Sequence, residues 1–379
     1  MGDTNRLTAD DLFAGAGGWD VAADWLDVHA RGIENMPQAR ATRDAAGLTT
    51  IHDDVWTFQP DGEASGLIAS PPCQTFSQAG KGAGRKALDD VLGLVRSLDV
   101  YRMDRLRERA AELGDDRTAL VLAPLHYALT NPAYRWLAWE QVPTVLPVWE
   151  ACADRLRAQG WSVWTGNLQA EQYGVGQTRK RAGLIASRDH EVTPPTPTHS
   201  RYYPRTPERL DEGVAKWVSM AEALAQFGWV PTDRVVSNYG TGGDPSTRGV
   251  RTADQPAATV TSKVDRNKVL PDWCARRPAT TVVGSFKPEV IAAPGYRTTV
   301  SRQNAPDSVQ VTVAEAGVLQ SFPAEFPWQG AKGKQYLQAG NAIPPLLAAA
   351  ALSAALGEPF VPPALTTITE PAQSALATL

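Results

Sequence analysis

Two short runs near the amino terminus carry residue types that can do chemistry. The first is Ser70-Pro71-Pro72-Cys73-Gln74-Thr75-Phe76-Ser77-Gln78, which follows the apolar segment Gly66 to Ala69. Two prolines stiffen the backbone ahead of a thiol, and a helical turn after it would offer backbone N–H groups to a thiolate and lower its pKa. The chain then runs through Gly80-Lys81-Gly82-Ala83-Gly84-Arg85, a flexible basic stretch suited to closing over a phosphate backbone. Cys152 and Cys274 lack such company and read as packing residues. The second run is Asp11-Leu12-Phe13-Ala14-Gly15-Ala16-Gly17-Gly18, a strand ending in a glycine-rich turn that enters a helix at about Trp19. Glycines there let a ligand approach the backbone at the carboxyl edge of a sheet. Glu34, near the end of an expected second strand, can accept hydrogen bonds from ribose hydroxyls, and Asp54, at the next strand end, one from an adenine amino group. The turn fits dinucleotide and adenosine-type cofactors about equally, but its Gly-Ala-Gly-Gly spacing departs from G-x-G-x-x-G and favours a nucleoside over a pyrophosphate.

These residues need a framework. A chain of 379 residues with 43% hydrophobic and 21% charged residues is folded and globular, which excludes disorder, collagen and coiled coil. At this length one large and one smaller domain are expected. Apolar runs at Leu7 to Phe13, Gly66 to Ala69, Trp136 to Trp139 and Ala182 to Ala186 alternate with helical patterns such as Val148 to Gln159, stopped by Gly160. That alternation predicts βα units on a parallel, doubly wound sheet, an α/β fold. Residues 1–189 hold 8 of the 29 prolines whereas 190–306 hold 13, which puts a domain boundary near His190. The downstream segment reads as loops and short strands, with Pro256-Ala257-Ala258-Thr259-Val260-Thr261 echoed at Pro278-Ala279-Thr280-Thr281-Val282-Val283 as two strand-forming pieces. Residues 191–305 carry 15 Lys+Arg against 11 Asp+Glu, although the whole chain has a net charge of −4. Positive surface for a polyanion is therefore local to that segment. A helix is expected from Pro345 to Leu356. Three widely spaced cysteines and five scattered histidines indicate neither a disulfide framework nor a metal site. The apolar stretch at Ile343 to Leu356 is too short for a membrane span, and Met1 to Asp10 has no signal-peptide core, so a cytoplasmic protein is expected.

Together the glycine turn and the Pro-Pro-Cys run resemble those of the DNA cytosine-5 methyltransferases, of bacterial or phage type. Further segments agree in order: Asp116-Arg117-Thr118-Ala119-Leu120, Trp139-Glu140-Gln141-Val142, Gln177-Thr178-Arg179-Lys180-Arg181, Val318-Leu319-Gln320-Ser321-Phe322-Pro323 and Gln338-Ala339-Gly340-Asn341-Ala342-Ile343-Pro344-Pro345. The resemblance spans about residues 7–350 and implies a Rossmann-like methyltransferase fold using S-adenosylmethionine and no metal. It implies that Cys73 adds to C6 of a cytosine flipped out of double-stranded DNA, that Glu140 holds N3, and that Arg179 and Arg181 take the O2 and phosphate side. It implies a cofactor site of Phe13, Gly15, Gly17, Glu34, Asp54, Pro72, Leu120 and Asn341, and DNA contacts at Gln78, Lys81 and Arg85. Residues 1–190 would form the catalytic domain, 191–329 the target recognition domain, and 330–379 a segment returning to the catalytic domain. Within the second, Arg248, Arg251, Lys263, Arg266, Asn267 and Lys268 are candidate readers of the DNA. A monomer is expected, with a cognate restriction endonuclease acting separately.

Three positions depart from the family pattern. Gln141 replaces an asparagine, Gly176 stands where a proline commonly precedes the glutamine and is expected to loosen that turn, and Val309 stands near a missing arginine ahead of Thr312. The charge-rich segment 87–113, with Arg102, Arg105, Arg107 and Arg109, reads as a solvated helix in preference to an extended catalytic loop. The competing readings are an RNA cytosine-5 methyltransferase and a non-catalytic DNA-binding homologue.

Overall fold

In the computed structural model, residues 6–72, 82–112, 116–229, 234–236, 250–260, 268–269 and 309–363 are described. Seven strands form the main sheet: β1 (Leu7–Leu12), β2 (Val28–Ile33), β3 (Thr49–His52), β4 (Gly66–Ala69), β5 (Trp136–Gln141), β6 (Ser162–Gln169) and β7 (Lys180–Ser187), in the order β3-β2-β1-β4-β5-β7-β6. The first five are mutually parallel. β4 and β5 are apolar and buried along nearly their whole length, as expected of parallel strands covered on both faces. The order reverses beside β1, which places a topological switch point, and hence a ligand crevice, at the carboxyl ends of β1 and β4.

Helices cover both faces. α1 (Gly18–Trp25) and α10 (Pro345–Leu356) lie on one, where Trp19, Leu347 and Leu352 meet Ile68, Ala138 and Ile185. On the other lie α3 (Gly82–Arg96), α5 (Ala123–Thr130) and α6 (Leu146–Arg157), which bury Val91, Leu125 and Trp149 against Leu67, Leu137 and Leu184. α2 (Pro37–Ala45) links β2 to β3. Local signals place the ends: Pro147 opens α6 and Pro345 opens α10, and left-handed Gly160 (φ 82°) and Gly357 (φ 75°) follow them. Almost every residue of α10 is buried, so its all-round apolar sequence is that of a core helix.

One expected parallel strand is antiparallel. β7 follows β6 after a short 3-10 turn at Ala170–Tyr173, and so short a link permits only a hairpin. β7 therefore also runs opposite to β5, with Glu140 paired to Gly183 and Gln141 to Ala182. Its first residues, not its last, reach the crevice edge.

Within the segment 87–113, residues 87–112 fold as the end of α3, a 3-10 turn at Leu98–Tyr101 and α4 (Met103–Glu112), joined to the core through Val91, Val95, Val100 and Leu106. Arg102 pairs with Asp104, Arg105 with Glu108, and Arg109 with Glu112. These exposed arginines thus sit in local ion pairs on a solvated surface.

The smaller unit contains a four-stranded sheet of β8 (Arg234–Val236), β9 (Val250–Thr252), β10 (Lys268–Val269) and β11 (Val309–Gln310), in the order β11-β10-β8-β9. Short α7 (Met220–Ala223) and α8 (Val313–Leu319) each carry a capping box, Ser219 with Glu222 and Thr312 with Glu315. They share a core with Trp229, Val260 and Tyr336, the last from α9 (Lys332–Asn341). The expected strand at 256–261 is reduced to one bridge between Ala257 and Gln177, because this segment spends its backbone on the 176–178 loop: Ala257 N–H donates to Gly176 O, and Thr178 N–H to Ala257 O. Its echo at 278–283 lies outside the described residues.

Candidate active site

Phe13, Glu34, Asp54, Pro72 and Glu140 lie at or just beyond the carboxyl ends of β1, β2, β3, β4 and β5 respectively. β1 ends in Phe13, whose φ of 62° is unusual for a bulky residue, followed by Gly15 (φ 56°) and Gly17 (φ 104°), the N-cap of α1. Strained backbone of this kind is characteristic of ligand-holding turns. Phe13 and Ala14 N–H groups both donate to Ile33 O, which ties the turn to the end of β2. The next residue, Glu34, is buried, and its carboxylate accepts from Gly15 N–H and Met36 N–H, each at 2.7 Å. Glu34 is thereby fixed at the crevice by the turn it serves. At the end of β3, half-buried Asp54 accepts from Trp56 N–H at 2.9 Å through Oδ1. Leu120 is half-buried in a 3-10 turn at Asp116–Leu122, and exposed Asn341 ends α9. The chain after Asn341 returns to the glycine turn: a Cβ on Gly18 would stand 2.3 Å from Ile343 O. Ala16 of the turn also packs with Phe322 of the Gln-Ser-Phe-Pro segment.

β4 delivers Ser70-Pro71-Pro72 to the same edge, with Pro72 half-buried. Trp19 Nε1 donates to Ser70 Oγ at 2.9 Å, and the Gln141 amide donates to Pro71 O while its own oxygen accepts Val142 N–H. Gln141 thereby ties the end of β5 to the proline segment. Cys73, Gln78 and Lys81 lie outside the described residues, and Arg85 falls within α3.

Beside Gln141, Glu140 is 6% exposed, and its Oε2 is buried with no hydrogen-bond partner. Arg181 Nε stands 3.4 Å from that oxygen. A buried carboxylate oxygen at the end of a central strand, without a hydrogen-bond donor and flanked by a guanidinium, is suited to holding a polar ring edge. Arg179 is placed differently. It is 2% exposed and donates to the carbonyls of Val260, Gly340 and Ala342 at 2.8–3.1 Å. It fastens the start of β7 to the small unit and to the end of α9, while Arg181 flanks Glu140.

Two residues that sequence reasoning left without a role complete this fastening. Gln177 Nε2 donates to Leu319 O and to Gln320 Oε1, its oxygen accepts Val260 N–H, and Gln320 in turn donates to Ala339 O. The signal was their place inside recognised motifs, but single-sequence spacing cannot distinguish a buried amide relay from a ligand contact. Gly176 is also tightly placed, since a Cβ there would lie 2.8 Å from Ala223 Cβ. The glycine admits α7, which corrects the expectation of a loosened turn.

Of the proposed DNA readers, Arg251 is half-buried, donates to Pro256 O and Thr178 Oγ1, and lies over the Tyr202 ring, while burial lowers its pKa. Its contacts are structural ones. Arg248, Lys263, Arg266 and Asn267 lie outside the described residues, and Lys268 falls within β10. Among the described residues no group of His, Cys, Asp and Glu could hold a metal ion.

The chain is 27% identical over 371 residues to the Type II methyltransferase M1.HphI of Haemophilus parahaemolyticus, covering 92% of this chain and 87% of that protein. Solved structures of similar fold include the S. pombe Dnmt2 methyltransferase (TM-score 0.55, 14% identity, 93% of this chain and 99% of that one). The Entamoeba histolytica methyltransferase EhMeth is similar too (TM-score 0.53, 12% identity, 93% and 99%). The sequence profile described as C-5 cytosine-specific DNA methylase matches residues 7–95 and 146–356, most of the chain, and the protein accordingly belongs to that family, as a DNA cytosine methyltransferase.

Proposed function

We propose that the chain transfers a methyl group from S-adenosylmethionine to C5 of a cytosine flipped out of a specific double-stranded DNA sequence, through a covalent adduct of Cys73. The observation that carries this reading is the buried Glu140 Oε2, which has no hydrogen-bond donor and is ion-paired with Arg181, at the same edge as the segment that leads into Cys73. The thiolate adds at C6, Glu140 holds the N3 edge with a proton, and Arg181 stabilises charge gathering on O2. Loss of the C5 proton then allows the Cys73–C6 bond to break and the ring to recover its aromaticity.

The strand ends also suit the methyl donor. Phe13, Gly15 and Gly17 form the left-handed turn after β1, and Glu34 is pinned where a ribose would lie. With Asp54, Pro72, Leu120 and Asn341 these residues would hold S-adenosylmethionine, which supplies an electrophilic methyl group on its sulfonium. Residues 191–329 would carry target recognition. The likeness to a protein named a Type II methyltransferase supports a separately acting restriction endonuclease as partner.

The test is incubation with S-adenosylmethionine and a duplex carrying 5-fluorocytosine at sites first found by base-resolution mapping of C5-methylated cytosines. A covalent adduct that Cys73→Ser abolishes is expected. Methylation with no adduct would refute the Cys73 route, and modification of RNA alone would refute the substrate.

A further inference from the structure

Beneath the glycine turn lies a charge cluster with more carboxyls than donors. Asp20, in the first turn of α1, is bound at both oxygens by Arg43 of α2, each contact 2.7 Å. Arg43 is fully buried and also donates to Thr50 Oγ1 and Thr49 O. Gly32 makes room for it, since a Cβ there would stand 2.2 Å from the guanidinium. Gly17 lies directly above, where a Cβ would be 3.5 Å from Asp20 Oδ2. The Glu34 carboxylate, nearby, has both oxygens on backbone N–H groups.

Asp11 is left over. It is 0% exposed, pairs with Gly32 across the β1–β2 ladder, and neither of its carboxyl oxygens has a donor. The groups facing it are Asp20 from α1, Arg43 from α2 and Glu34 from the end of β2, three carboxyls in all against one guanidinium. An ionised carboxylate buried without a donor is strongly disfavoured, and two carboxyls sharing one proton remove the conflict.

We infer that Asp11 is held as the neutral acid and donates its proton to Asp20, so that Asp11, Asp20 and Arg43 form one hydrogen-bonded unit that locks the glycine turn to α2. Burial, with Asp20 beside it, pushes the Asp11 carboxyl well up, in keeping with this arrangement. Asp11 touches no ligand in this account; it is a positioning residue that acts through Asp20 and the turn. When alkali removes the shared proton, two carboxylates repel under Gly17 and the turn loses its anchor. The consequence for cofactor affinity rests on the S-adenosylmethionine reading of the turn given above.

The test combines infrared spectroscopy with calorimetric binding of S-adenosylhomocysteine from about pH 6 to about pH 10. The wild-type protein shows a protonated-carboxyl C=O band at neutral pH that Asp11→Asn removes. Wild-type affinity falls on the alkaline side by about tenfold per pH unit once Asp11 ionises. Asp11→Asn, which still donates to Asp20, keeps affinity within about twofold at neutral pH and lacks that fall. Should Asp11→Asn fail to fold, Asp20→Asn also removes the band, because Asp11 then ionises as the anion of Arg43. A band unchanged by either variant, or the same alkaline fall in Asp11→Asn, overturns the inference. If neither protein binds S-adenosylhomocysteine at any pH, it is the cofactor reading that fails, and the infrared result still decides the state of Asp11.

Discussion

Arg181 and Glu140 meet across antiparallel strands, Nε to Oε2 at 3.4 Å, at the edge where β5 ends and β7 begins. The hairpin that reverses β7 makes this meeting possible, because a parallel strand would have delivered its opposite end. In the proposed reaction the pair touches the cytosine ring, so Arg181→Ala should lower the single-turnover methylation rate by about 10²- to 10³-fold. Affinity for S-adenosylhomocysteine should stay within about twofold. Rapid-quench methylation of a cognate duplex checks this, and a near wild-type rate would leave the pair a purely structural role.

Arg179, two residues away, should fail in a different way. Its guanidinium reaches three backbone carbonyls from two other parts of the chain, and removing it takes this donor from the buried Val260 and Gly340 carbonyls, while Ala342 O keeps a long bond from Gln320. Arg179→Ala is expected to cost about 3 kcal/mol or more in urea unfolding. Arg179→Lys should recover little, since a single ammonium cannot reproduce a planar fork. Equal stability of Arg179→Lys and wild type would contradict the fastening role.

These neighbours show what the sequence discloses. The strand ends at Phe13 and Glu34 were legible from the glycine turn after an apolar run and the spacing to the next acidic residue, whereas Glu140 was legible only through the resemblance of its Trp-Glu-Gln-Val segment. The division of labour between Arg179 and Arg181 was not, because it depends on the direction of β7 and on the carbonyls of Val260 and Gly340, distant in sequence. The substitution at Gln141 was visible but its effect was not: only the fold brings Pro71 O within reach of its amide. Arg251 looked like a base reader by charge alone, and its burial over Tyr202 belongs to tertiary packing.

Gly176 offers a steric test. A methyl group there would press on Ala223 of α7, where both partners are held by backbone and neither can swing aside. Gly176→Ala should destabilise by about 1–3 kcal/mol, the usual cost of overpacking. The companion change Ala223→Gly should restore part of that loss, whereas a flexible loop at 176 would show no coupling between the two sites.

Arg31 provides a pH test with two signs. It pairs with fully buried Asp10 and with largely exposed Asp61, each at 2.7 Å. The hydrogen bond from Arg31 holds the Asp61 carboxyl down at about 2, whereas burial raises that of Asp10 despite its bonds to Tyr134 and Arg31. A carboxyl depressed on folding stabilises above its unfolded value of about 3.9 and loses that contribution as pH falls through its folded value. Asp61→Asn should therefore be less stable than wild type near neutrality, with the difference shrinking between about pH 4 and pH 2. For Asp10 the sign reverses: its contribution is complete below the unfolded value and is lost as pH rises through the raised one. Asp10→Asn should accordingly remove a fall in stability that lies between the unfolded value and the raised one. Urea unfolding of both variants across this range decides the matter, and a common pH trend in the two would show that burial does not separate carboxylates sharing one guanidinium.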